Sequence, residues 1–283
     1  MNQPVGQAVT AGVDTIDGQA GGLSAQNVSV TYVRKRTGDQ VTAVQGLDLE
    51  GAPREFVSIV GPSGCGKSTF LKVVAGLAAP TSGTVMLNGQ PIADASDRRA
   101  MVFQDASLFP WYSVMRNLTY GMECRGVKAK KARAAVLPLL EKVGLTGFEK
   151  HYPYELSGGM QQRVNLARAL AVNPEILLMD EPFAALDAQT REIMQAELLR
   201  IWTETRKTVL FVTHQIDEAI FLSDRVIVMS ARPGRIILDL PVELPRPRSL
   251  EIKETAEFLG LQKKIWSLLE HEVLKSMKLR DRA

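Results

Sequence analysis

The chain has 283 residues, 45% of them hydrophobic and 23% charged, which is ample apolar material for one large domain or two small ones and excludes a disordered polymer. A net charge of +3, with no long Lys/Arg block and only 6% aromatic residues, gives no electrostatic footprint for a nucleic-acid partner. Two cysteines, Cys65 and Cys124, lie far apart without metal-ligand spacing and point to a reducing, cytoplasmic compartment, and no apolar run approaches the roughly 20 residues of a membrane span.

Residues 1–24 are rich in Gly, Ala, Gln and Thr without periodicity and read as a disordered leader, and residues 1–22 lack the basic start and apolar segment of a signal peptide. From Asn27 the alternation NVSVTYV predicts a strand, Thr37-Gly38-Asp39 a turn, and residues 41–49 an antiparallel partner. Tyr32, at the end of the first strand, can stack on a nucleotide base or be an ordinary half-buried sheet tyrosine.

Residues 55–74, EFVSIVGPSGCGKSTFLKVV, are an apolar strand, a glycine-rich loop and an apolar helix start. Gly61, Gly66, Lys67 and Ser68 have the spacing of a phosphate-binding P-loop. Glycines let backbone N–H groups surround phosphate oxygens, Lys67 adds charge, the helix start presents its positive end, and the Ser68 hydroxyl can ligate Mg²⁺. Next come a turn at residues 80–83, a strand over 84–87, a turn at Asn88-Gly89, and the strand MVFQD, 101–105, ending on Gln104 and Asp105. Leu108-Phe109-Pro110-Trp111-Tyr112 is either a docking surface or packing under a loop. Residues 114–147 read as helical, broken near Gly121, Gly126 and Pro138, with Lys128, Lys130, Lys131 and Arg133 on a solvated face.

Residues 155–172, ELSGGMQQRVNLARALAV, run from a Ser-Gly-Gly turn into an apolar-periodic helix. Ser157 is placed as an N-cap, and Gly158 and Gly159 leave bare N–H groups at a positive helix end, a second anion site if the helix start is more than a cap. The apolar run 176–179 reads as a strand buried on both faces, ending in Asp180-Glu181-Pro182; residues 208–213 repeat the arrangement and end on His214, and 225–229 form a further strand. Ligands of open parallel α/β sheets sit beyond the carboxyl ends of the strands, so the P-loop, Gln104, Asp180, Glu181 and His214 are expected to converge on one edge. His151 and His271 have no such context and read as structural.

In that order, GPSGCGKST, Gln104, LSGGM, ILLMDEP, AALD and His214 closely resemble the nucleotide-binding ATPase of ABC transporters, over about residues 26–240. Met160 departs from the family, which commonly has glutamine there. The resemblance implies an α/β P-loop NTPase fold of the ABC ATPase type, a mainly parallel sheet core with an antiparallel β subdomain and an inserted α-helical subdomain. It places the ATPase domain at 25–245, the helical insertion at about 106–172 and a C-terminal helical tail at 246–283. It implies ATP and Mg²⁺ as cofactors, with Tyr32 on adenine and Gly61, Pro62, Ser63, Gly64, Cys65, Gly66, Lys67, Ser68 and Thr69 around the phosphates. Ser68, Gln104 and Asp180 would serve Mg²⁺, Glu181 would polarise the attacking water, and His214 would hold that water and the γ-phosphate. A homodimer is implied as well, in which Ser157, Gly158 and Gly159 of one copy close over ATP held by the other and the Ala184-to-Asp187 loop crosses between them.

Three readings compete: importer ATPase, soluble non-transport ABC ATPase, and small-molecule P-loop kinase. LSGGM and AALD argue against the kinase, and a single motif set without a long coiled-coil insert argues against the soluble ATPase. The LFPW cluster and residues 231–248, ARPGRIILDLPVELPRPR, look like the nitrate, sulfonate and taurine importer ATPases. That likeness implies integral-membrane permease subunits docking on residues 105–125 around Phe109, Pro110, Trp111 and Tyr112, an extracytoplasmic solute-binding protein reached indirectly, and a peripheral location on the cytoplasmic face of the inner membrane. After Arg248, apolar positions at Phe258, Leu261, Ile265, Leu268, Leu269 and Val273 predict an amphipathic helix packed on the chain's own core.

Overall fold

The computed structural model describes residues 22–34 and 38–280, with side chains to residue 274. The leader up to residue 21 and Thr37 lie outside the described residues. Residues 23 and 24, counted above with the leader, instead open strand β1 (Leu23–Val33), because Leu23 and Ala25 are buried in the first antiparallel layer. β1 pairs with β2 (Gln40–Gly51), and its other edge with β4 below.

β3 (Phe56–Val60) leads through the P-loop into α1 (Lys67–Ala75). β4 (Ser82–Leu87) and β5 (Gln90–Pro91) form a hairpin whose turn, Asn88-Gly89, has both φ angles positive, at 52° and 72°. β6 (Arg99–Val102) is followed by α2 (Val114–Cys124), α3 (Ala129–Lys142) and α4 (Gly158–Ala171), then β7 (Ile176–Asp180), α5 (Ala188–Thr205), β8 (Thr208–Val212), α6 (Ile216–Leu222), β9 (Arg225–Met229), β10 (Ile236–Pro241) and the long α7 (Ala256–Arg280).

Two sheets result. A four-stranded antiparallel sheet has the order β2-β1-β4-β5, and a six-stranded sheet has the order β10-β9-β3-β8-β7-β6, parallel except for β10 at its edge. Every β3 residue is buried, since both sheet faces are covered. Successive residues feed opposite faces: Phe56 and Val60 join the core under α2–α5, where Phe56 meets Trp202 edge-on at 5.7 Å, while Val57 and Ile59 join the core shared with α1 and the antiparallel sheet. α7 adds Phe258, Ile265 and Leu269 to the larger core. No helix among the described residues is long and apolar enough to cross a membrane.

Local expectations fail at three places, each for a physical reason. β6 begins at Arg99 and stops at Val102, so Phe103 and Gln104 are exposed beyond the sheet. α2 runs straight through Gly121, where a Cβ would come within 2.7 Å of Val172; the glycine serves close packing there instead of breaking the helix. Pro138 sits inside α3 on its solvent side, while Ala132, Val136 and Leu140 hold the opposite face in the core.

Candidate nucleotide site

Strand register brings the functional residues to one edge. Ile59 pairs with Val212, Val212 with Asp180, and Met179 with Val102, so the P-loop, Glu181 and His214 leave the sheet side by side. Within the loop, Gly64 and Gly66 have φ of 75° and 109°. A Cβ on Gly66 would lie 2.7 Å from the Ala43 carbonyl of β2, so only glycine lets the loop seat against that strand. Buried Lys67 is the first residue of α1 and donates from Nζ to the carbonyls of Gly61 (2.8 Å) and Pro62 (3.1 Å). Cys65 is buried beneath the loop, and desolvation pushes its thiol up despite the neighbouring Lys67 cation.

A cavity of about 290 Å³ opens above the loop. Tyr32, Val41 and Ala43 of the antiparallel strands line it together with Ser63, Gly64, Gly66, Lys67, Ser68 and Thr69 of the loop and helix start, joined by Glu181 and Arg232. Asp180 Oδ1 accepts from Ser68 Oγ at 2.8 Å; desolvation raises the Asp180 pKa and this hydrogen bond opposes it. Glu181 takes the left-handed region at φ 47°, its N–H donating to Val212 O at 2.8 Å, and its Oε2 lies 3.0 Å from His214 Nδ1.

Beneath His214 lies a buried set that the sequence reading missed. Glu218 accepts from Thr213 Oγ1 (2.6 Å) and Gln195 Nε2 (3.1 Å), and Thr213 Oγ1 in turn accepts from the Gln215 N–H at 3.0 Å, which fixes both neighbours of His214. The available signal was IDEAIFL, where Glu218, next to Asp217, stands in a helix whose remaining residues are apolar. Arg232 was also missed as a site residue; its segment was noted only as a family likeness.

Other nominated residues stand elsewhere. Gly61 and Pro62 line a neighbouring cavity of about 300 Å³ with His214, Ile216 and residues of α7. Gln104 is exposed on the loop after β6 and does not line the nucleotide cavity. Ser157 N-caps α4, accepting from Met160 N–H at 3.3 Å, with Gly158 and Gly159 in the first turn. Asp187 N-caps α5, and the Thr190 N–H holds its carboxyl below the usual range. Neither cap faces the cavity of its own chain. For a metal, the hydroxyl of Ser68 beside the carboxylate of Asp180 is a pair of hard oxygen donors that fits Mg²⁺ carried in on phosphates.

A glycine-rich phosphate cradle at a helix N-terminus, a lysine inside it, and adjoining carboxylates at a parallel sheet's carboxyl edge define a P-loop nucleoside triphosphatase. The family model described as ABC transporter matches residues 44–184. An uncharacterized ABC transporter ATP-binding protein of Methanocaldococcus jannaschii is 50% identical over 250 residues, covering 88% of this chain and 92% of that protein. The chain belongs to the ABC transporter ATP-binding family, and is a nucleotide-binding ABC ATPase. A taurine import ATP-binding protein of Jannaschia sp. is 43% identical (89% of this chain, 97% of that one), as is a nitrate import ATP-binding protein of Synechocystis (87% and 94%). Among solved structures, the dimeric post-hydrolysis state of an ATP-binding cassette bound to ADP and Pi superposes with a TM-score of 0.68 at 33% identity, over 79% of this chain and all of that one.

Proposed function

We propose that the chain is the ATP-hydrolysing subunit of an importer, two copies of which drive uptake of a small solute such as nitrate, a sulfonate or taurine. Separate integral-membrane permease subunits would receive it on the cytoplasmic face of the inner membrane, and an extracytoplasmic solute-binding protein would deliver the solute to them. Within the chain, residues 23–245 form the ATPase domain, about 106–172 its helical insertion, and 246–283 the tail. The import names of relatives that match across nearly their whole length support this reading. Their two different solutes at equal identity leave solute choice with the permease and binding protein.

The observation that carries the chemistry is the 3.0 Å contact between Glu181 and His214, with Glu181 lining the cavity that holds Lys67. Backbone N–H groups of the loop within residues 61–69, Pro62 excepted, and the Lys67 ammonium bind the phosphate chain, while Tyr32 covers the base. Ser68 and Asp180 would hold Mg²⁺, with Gln104 joining from its exposed loop, and the ion would supply charge neutralisation to the phosphates. Glu181 accepts the proton of the attacking water as its oxygen bonds to the γ-phosphorus and ADP departs. His214 orients that carboxylate and meets the γ-phosphate.

Glu181→Gln should lower steady-state ATP turnover by roughly 10² to 10⁴, the usual scale for a general base, with ATP binding retained. Wild-type turnover by that variant would remove Glu181 from the role.

A further inference from the structure

Arg232 lines the nucleotide cavity, yet its place in the chain gives no reason to expect it there: it lies in the turn between β9 and β10, 168 residues from its partner in the P-loop. Two of its nitrogens, Nε (3.1 Å) and Nη2 (2.9 Å), donate to one acceptor, the carbonyl of Gly64. A single oxygen receiving both fixes the guanidinium plane against the outer wall of the cradle. Among the described residues Nη1 has no protein hydrogen bond, and the cation stands exposed at a cavity whose lining it shares with buried Lys67.

The turn is held firmly enough to aim that group. Gly234 donates to Ala43 O (2.9 Å) and accepts from Gln45 N–H (3.0 Å), tying the turn to β2, whose Val41 and Ala43 also line the cavity. A Cβ on Gly234 would sit 2.0 Å from the Cys65 carbonyl, so the turn is pressed onto the P-loop backbone itself. Behind it, buried Glu272 of α7 accepts from the Ala231 N–H at 2.9 Å. The turn that carries Arg232 is thus anchored from three elements, and the guanidinium keeps unused hydrogen-bonding capacity at the cavity it lines.

We propose that Arg232 is a nucleotide-binding residue: its guanidinium contacts the phosphate chain of the bound nucleotide from the Gly64 side, a second cation in addition to Lys67. This rests on the nucleotide site described above. A planar cation with a spare donor suits phosphate oxygens, and a charge-assisted bond of that kind is about twice as strong as a neutral one.

The test is a titration of full-length protein with a fluorescent N-methylanthraniloyl ATP and Mg²⁺, using wild type, Arg232→Ala, Arg232→Gln and Arg232→Lys, each checked for an unchanged melting curve. Glutamine keeps a donor for the Gly64 carbonyl but no charge, and lysine keeps charge without the fork. Loss of affinity by about 10-fold in both the alanine and glutamine variants, with lysine within about 3-fold of wild type, is expected. The salt dependence of binding should flatten in the glutamine variant. Binding within 2-fold of wild type by Arg232→Ala overturns the proposal, and so does full affinity in Arg232→Gln, which makes the residue a mere buttress of the loop. Wild-type protein that binds no nucleotide, with Lys67→Ala indistinguishable from it, sinks the reading of the cradle and this inference with it.

Discussion

Glu218 shows how one buried side chain fixes its neighbours. At 3% exposure it is nearly removed from water, and desolvation raises its pKa although Thr213 and Gln195 donate to it. A carboxyl whose pKa is higher folded than unfolded is protonated more readily in the native state. Its contribution is therefore most favourable below the unfolded value, about 4.3, and is lost as pH rises through the raised folded value. Glu218→Gln has no proton to release. The melting temperature of the variant minus that of wild type should accordingly become more positive as pH rises from about 4 to about 8. A difference that stays flat across that range would show that desolvation of Glu218 does not govern its stability.

Among the elements, the loop before α2 has the arrangement of a presented surface. Phe109, Trp111, Tyr112 and Tyr120 form one aromatic cluster, with ring centroids from 4.8 to 6.1 Å apart, and Trp111 is 67% exposed at its crown. Buried Asn117 holds the loop from below: Nδ2 donates to the carbonyls of Phe109, Tyr112 and Ser113, and Oδ1 accepts from the Phe109 N–H. An aromatic left in water above a fully hydrogen-bonded support matches the anchor of an interface better than loop packing. Trp111→Asp should leave the ATPase rate of the isolated subunit within about 2-fold while lowering permease stimulation at least about 10-fold, with co-purification lost. Full stimulation in reconstituted vesicles would assign docking to another surface. The sequence displayed this cluster but not its support, because an asparagine within a helix carries no local sign of the carbonyls folded over it. The strand ends of the catalytic edge were legible for the opposite reason: buried parallel strands are apolar throughout, so Asp180, Glu181 and His214 stand out where they stop. Arg232 and Glu272 were not legible, since their roles come from a turn and a helix that meet the P-loop only in three dimensions.

At the scale of the molecule, the decisive fact is a site left half built. The chain holds a phosphate cradle, while the helix start at Ser157, Gly158 and Gly159, proposed to meet the phosphates of a second copy, does not line that cavity. One copy cannot use both, whereas two copies related by a two-fold axis can complete each other, since an isologous contact supplies every site twice. If so, ATP favours closure through contacts made only between copies, and hydrolysis removes them. Glu181→Gln protein with ATP should elute as a dimer in size-exclusion chromatography with light scattering. Adding Ser157→Arg should lower the dimer population at least about 10-fold at equal concentration, because a long cation fills the space meant for phosphate. Ser157 also caps α4, and loss of a cap alone costs about 1 kcal/mol, so Ser157→Ala separates the two effects: it removes the cap without adding bulk and should dimerise far better than the arginine variant. Equal dimer populations for Ser157→Arg and its parent, with nucleotide bound in both, would mean that the second helix start takes no part in closing the site.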